Sequence, residues 1–205
     1  MHFTINFGYK RNRPLFTSLE LEVPEGRTTV VCGHNGAGKT TLLKLISGIL
    51  PSKLEPASAW FVPASGGLIR HFSLKEHLDI LEAHKREDWR DAYQLFGAEA
   101  FCKVPVRSLS TGQSMMASLV VAIASGKELL LLDEPFASLD PTNAQHLVAV
   151  LSRLERTVVI TSHDLYLTAE CAHRILFIKD GGISWQWEGE GMDVERLQAA
   201  YREFA

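Results

Sequence analysis

A chain of 205 residues with a formal net charge of −3, 46% hydrophobic and 22% charged, has the make-up of one well-buried globular domain, and its near balance of charge excludes a bulk electrostatic pull toward nucleic acid or anionic lipid. Three cysteines (Cys32, Cys102, Cys171), odd in number and without metal-ligand spacing, point to free thiols in a reducing compartment. The longest strongly apolar stretch, around Met115 to Ala124, is too short to span a bilayer, and "MHFTINFGYK" lacks the apolar core of a signal peptide, so any membrane span is expected from another chain.

In chain order, Phe3, Ile5 and Phe7 alternate with polar residues, as do Leu19, Leu21 and Val23, which predicts two half-buried strands. "RTTVVC" (Arg27–Cys32) is a β-branched run that stops at a glycine-rich loop, and "TTLLKLISGIL" then reads as a helix ending near Gly48. "AWFV" is a short apolar strand. Ser73 to Phe101 turns helical and more charged, with Leu74, Leu78 and Leu81 on one face and His77 and His84 on a solvated one. "ELLLLD" and "TVVIT" are continuous apolar runs, suited to a parallel sheet covered on both faces. Helices follow each, over Thr142–Leu154 and from Tyr166 to about Cys171. "RILFIKDGGISWQW" predicts a hairpin turning at Asp180-Gly181, and "DVERLQAAYREF" a closing helix. The order is α/β, a single domain over residues 1–205, with a helical part at about 65–125.

"GHNGAGKT", Gly33 to Thr40, fits G-x-x-x-x-G-K-[ST] between an apolar strand and a helix. In such a loop (Gly33, His34, Asn35, Gly36, Ala37, Gly38, Lys39, Thr40, then Thr41) backbone N–H groups turn inward around phosphate. The lysine reaches the terminal phosphates and the Thr40 hydroxyl can ligate Mg²⁺. His34 stands at a variable position and reads as a spacer. "LLLLDEP" puts Asp133 and Glu134 at the end of a buried strand, where neighbours point oppositely. Asp133 suits the metal and Glu134 an attacking water. "TSHD" places His163 at another strand end, facing the ligand crevice of an α/β sheet. Alone, the Asp133-Glu134 pair reads less often as a solvated strand end, whereas His163 alone reads more often as a surface or core histidine.

These motifs, with "LSTGQ" (Leu109–Gln113) and "SLD" (Ser138–Asp140), come in an order that resembles the ATP-binding cassette (ABC) ATPases over essentially the whole chain. The resemblance implies a P-loop NTPase core with a mostly parallel central sheet, a small antiparallel β subdomain and a helical insertion carrying the signature, usually LSGGQ, with Thr111 here in place of one glycine. It implies an ATPase with ATP and Mg²⁺. Two such chains pack head to tail, so that Ser110, Thr111, Gly112 and Gln113 of one cap the ATP held by the other. It gives Tyr9 the place of the aromatic that stacks on adenine. Asp140 becomes the acidic residue lying across the dimer, Glu134 the catalytic base and His163 the contact to the γ-phosphate. The implied partners are a second ATPase chain and transmembrane permease subunits, with no nucleic acid, and the implied location is cytoplasmic, on the inner face of the cell membrane. A soluble ABC ATPase of an assembly machine, such as iron–sulfur assembly, and a weakly hydrolysing regulatory partner are the rival readings.

Three places depart from the family pattern. Counting back from "SLKEHL" puts Ala64 where a glutamine that touches Mg²⁺ and the water is usual. The haem-exporter ATPases of cytochrome c maturation depart there too and are similarly short. "SMMASLVV" replaces an arginine-rich stretch after the signature. Only about two dozen residues separate Lys39 from Ala64, so the antiparallel β part is expected to be trimmed.

Overall fold

The computed structural model describes residues 1–10, 13–53, 57–81 and 89–205. Two antiparallel strands, β1 (His2–Phe7) and β2 (Phe16–Glu22), form a separate two-stranded sheet. Six more make the main sheet in the order β4-β5-β6-β3-β7-β8: β3 (Thr28–Cys32), β4 (Ala59–Val62), β5 (Leu129–Asp133), β6 (Thr157–Thr161), β7 (Arg174–Lys179) and β8 (Gly182–Glu188). All neighbours pair in parallel except β7 and β8. The helices are α1 (Lys39–Ile46), α2 (Leu74–Ile80), α3 (Trp89–Leu95), α4 (Thr111–Ala124), α5 (Pro141–Arg153), α6 (Leu165–Cys171) and α7 (Val194–Phe204).

Every residue of β3, β5 and β6 is buried, because layers cover both faces of the sheet. On one face α1 and the β1–β2 ribbon close a core around Phe16, Leu21, Leu42 and Val31. On the other face α4 packs with α5 to α7 around Val30, Leu132 and Phe177. All ten residues of α4 from Met115 to Ala124 are buried, so this helix is apolar all round rather than amphipathic. The hairpin turns as expected: Asp180 (φ 49°) and Gly181 (φ 79°) both take left-handed backbone, the geometry that matches strand twist. Among the described residues the separate antiparallel sheet consists of β1 and β2. No helix among the described residues is long and apolar enough to cross a membrane.

One expectation fails. His77 is not on a solvated face; it is 7% exposed. Its Nδ1 lies 2.7 Å from the Ser73 carbonyl, and its Nε2 accepts from the Ile69 amide at 3.0 Å. The ring ties the chain before α2 to the first turn of that helix. His84 lies outside the described residues. The three cysteines are free and buried.

Candidate functional site

The C-terminal ends of β3, β5 and β6 lie side by side, and the chain crosses from β3 to β4 over both of the others. A crevice at strand ends of this kind is where open α/β sheets take ligands. Here it is a cavity of about 920 Å³. Asn35, Gly36, Gly38, Lys39, Thr40 and Thr41 line one side, and Glu134, Ser162 and His163 another. The loop from Gly33 to Gly38 is held against the body at two glycines. A Cβ on Gly33 would meet the Ile178 carbonyl at 2.5 Å, and one on Gly38 would meet the Phe16 ring at 2.7 Å, with φ at +152° and +101°. Helix α1 starts at Gly38 with no side-chain cap, so its first-turn amides stay available to an anion.

Lys39 is 7% exposed, and its Nζ donates to the carbonyls of Gly33 (2.9 Å) and His34 (3.3 Å). Burial pulls its pKa down, against the pull of Glu134. The same Nζ lies 3.0 Å from His163 Nε2, which is itself 3.0 Å from Glu134 Oε1. One imidazole nitrogen cannot accept from an ammonium and donate to a carboxylate in the same tautomer. Oε1 of Glu134 is accordingly a buried oxygen without a directed hydrogen bond. A polyanion supplying acceptors to both Lys39 and His163 would relieve this conflict. Burial raises the Glu134 carboxyl above its ordinary range, although His163 and Lys39 pull the other way. Its backbone is left-handed at φ 48°, uncommon for a non-glycine residue, at the point where the chain turns from β5 into the segment that follows.

Asp133 accepts from Thr40 Oγ1, 2.9 Å from both carboxylate oxygens, and from Thr161 Oγ1 at 2.7 Å. Among the described residues no three His, Cys, Asp or Glu groups gather into a metal cage. The Thr40 hydroxyl on the cavity wall, with the Asp133 carboxylate buried behind it, fits a hard cation of the Mg²⁺ kind, which keeps water and takes the rest of its oxygens from a phosphorylated ligand. Cys32, directly behind the loop, is no nucleophile, since burial pushes its thiol up to about 12.

The family model described as ABC transporter matches residues 16–137. The chain belongs to the ABC transporter family. It is 31% identical to the thiamine import ATP-binding protein ThiQ of Salmonella choleraesuis, over 81% of this chain and 82% of that one. It is 30% identical to the ribose import ATP-binding protein RbsA 2 of Burkholderia cenocepacia over 88% of this chain, but spans only 42% of that relative's length. Its fold superposes with a TM-score of 0.80 on a dimeric ATP-binding cassette in a post-hydrolysis state bound to ADP and Pi, at 20% identity, covering 93% of this chain and 99% of that one.

Other residues of the ABC pattern fall where the chain order allows. Ala64, just beyond β4, lines the cavity and brings no polar atom to it from its side chain. Tyr9 is 66% exposed at the rim, with its hydroxyl 2.9 Å from Thr41 Oγ1. Ser110, Thr111, Gly112 and Gln113 do not line this cavity. They open α4 with a capping box, Ser110 Oγ accepting from the Gln113 amide and Gln113 Oε1 from the Ser110 amide. Asp140 also lies outside it; its carboxylate caps α5 through Thr142 and Asn143, and the Asn143 bonds hold its pKa below the ordinary value. Sequence reading missed Thr161. Its register opposite Asp133 puts its hydroxyl between that carboxylate and the Glu134 amide, which it accepts at 2.9 Å. The β-branched run "TVVIT" hid it as one more buried strand residue.

Proposed function

We propose that this chain is the ATP-binding and ATP-hydrolysing subunit of an ABC transporter, one cassette over residues 1–205 with a helical part at about 65–125, working on the cytoplasmic face of a membrane. What supports this is the meeting of Lys39, Thr40, Glu134 and His163 in one cavity that also carries Tyr9 at its rim, with Asp133 buried just behind Thr40 and hydrogen-bonded to it. Lys39 and the α1 amides would bind the β- and γ-phosphates, and Tyr9 would stack on the base. Glu134 would hold the attacking water and take its proton. His163 would leave Lys39 for the γ-phosphate. Thr40 and Asp133 would hold Mg²⁺, which when bound neutralises charge on the phosphates. Ser110 and Gly112, with Asp140, would complete the equivalent site of a second ATPase chain, of the same or a related kind. Closure of the pair on two ATP would drive separate transmembrane subunits.

The test is Glu134→Gln, which keeps the size of the side chain and removes the base. ATP binding should persist, turnover should fall by roughly 10²–10⁴, and the variant should collect as an ATP-bound dimer on size-exclusion chromatography. Turnover equal to wild type would show that another group handles the water.

A further inference from the structure

We propose that Tyr201, on the last helix, is a positioning residue for the phosphate loop and acts through His34. This rests on the reading of the Gly33–Thr40 loop as an ATP site. The loop carries three glycines in left-handed backbone, Gly33, Gly36 and Gly38, and such a segment holds one shape only if something outside it supplies the constraint. Gly33 abuts β7 and Gly38 abuts β2, as described. Between them the His34 carbonyl accepts from the Ala37 amide at 3.1 Å and from Lys39 Nζ at 3.3 Å. His34 therefore sets both the turn of the loop and the resting place of its lysine. Its own side chain meets the Tyr201 ring edge-on, with centroids 6.0 Å apart and planes at 61°.

Tyr201 is itself fixed. Its ring stands edge-on to Phe177 on β7 at 5.6 Å, and Phe177 stacks on Trp185 of β8 at 4.7 Å. Four rings thus run from the sheet edge through α7 to the phosphate loop. The α7 helix is anchored at its other end by Asp193, whose carboxylate caps the Arg196 amide at 2.8 Å. A brace of this kind lowers the ordering cost of gripping phosphate, so it acts on nucleotide affinity. Glu134 and His163 come from the ends of β5 and β6 and make no ring contact with the brace, so its loss should show in nucleotide affinity first and leave the chemical step at saturation nearly unchanged.

The experiment uses the full chain and measures ATP affinity by calorimetry and turnover against ATP concentration. Tyr201→Leu keeps apolar bulk against Phe177 but loses the ring edge. It should weaken ATP binding roughly 2- to 12-fold, the range of one edge-to-face ring contact, and raise KM in proportion with kcat within about twofold. Tyr201→Phe should keep the wild-type affinity. His34→Ala, at an exposed loop position that cannot unfold the core, should give the same loss, and the double variant should be no worse than either single one. Unchanged affinity in Tyr201→Leu, additive losses in the pair, or a fall in kcat without a change in KM would overturn the proposal. A wild-type chain that binds no ATP would remove the reading beneath it, and the inference with it.

Discussion

Replacing Thr161 by valine changes little in shape and removes one hydroxyl from a position with no exposed surface. That hydroxyl donates to Asp133 Oδ1 at 2.7 Å and accepts from the Glu134 amide at 2.9 Å. The amide keeps a second acceptor, the Thr161 carbonyl at 3.1 Å. The Asp133 carboxylate keeps its bond from Thr40. The loss is then one buried hydrogen bond to a charged acceptor, worth about 1.5–3 kcal/mol. For a chain of this size each kcal/mol lowers the thermal midpoint by about 2–4 °C, so the nucleotide-free variant should melt roughly 3–12 °C earlier. Urea unfolding should show the same loss with an unchanged slope. Thr161→Ser restores the hydroxyl and should recover most of it. Thr161→Val within about 0.5 kcal/mol of wild type, the ordinary scatter of a neutral substitution, or Thr161→Ser as unstable as Thr161→Val, would refute the assignment of this hydroxyl.

Glu134, its carboxyl raised mainly by burial, takes up a proton more readily when folded, so its contribution to stability is complete below the ordinary glutamate value of about 4.3 and is lost as pH rises through the raised value. Glu134→Gln should flatten that stretch of the stability–pH curve in nucleotide-free protein, and superimposable curves would remove burial as the cause. Ser110→Arg puts bulk and charge at the start of α4, where it should spare ATP binding by the single chain and abolish ATP-driven dimerisation and hydrolysis. Mixed with the equally inactive Lys39→Ala, it should regain part of the wild-type rate, since one interface then joins an intact Lys39 to an intact Ser110; full hydrolysis by a monomer at high dilution would end the cross-chain reading.

The strands were legible because burial on both faces leaves a plain mark. "TTVVC", "LLLLD" and "TVVIT" carry no alternation, and each is buried throughout. The apolar stretch from Met115 to Ala124, buried throughout within α4, was legible as apolar for the same reason. His77 was not. Its sequence neighbours Lys75, Glu76 and Asp79 suggest a wetted helix face, but the chain before α2 folds back so that the Ile69 amide meets its ring. Nothing in a local pattern announces a bond from a loop to a helix that follows it. Thr161 and Tyr201 escaped by the same logic at longer range. The first matters because parallel register sets it beside Asp133, 28 positions earlier, and the second because α7 returns to the loop that began the cavity.

"LSTGQ" is the reverse case, since its chain order spoke more clearly than its surroundings do. Within one chain it is a helix cap in which the Ser110 and Gln113 side chains each accept from the other's backbone amide. The two central positions nonetheless differ physically. Thr111 is exposed, so replacing the family's usual glycine there adds a side chain that meets open solvent within this chain. Gly112 is not free in this way, because a Cβ on it would sit 2.9 Å from the carbonyl oxygen of Ser138, in the segment just after Glu134. The requirement for glycine at 112 and its relaxation at 111 thus follow from packing between the start of α4 and the turn after β5. The same packing fixes where the first-turn amides of α4 point. The capping box uses the Gln113 amide and keeps this end rigid, while the Thr111 and Gly112 amides have no acceptor one turn back within the helix, as an anion offered by a neighbouring chain would need. On the proposed reading the pentapeptide would work by holding donors in place, and no reactive group would be required of it.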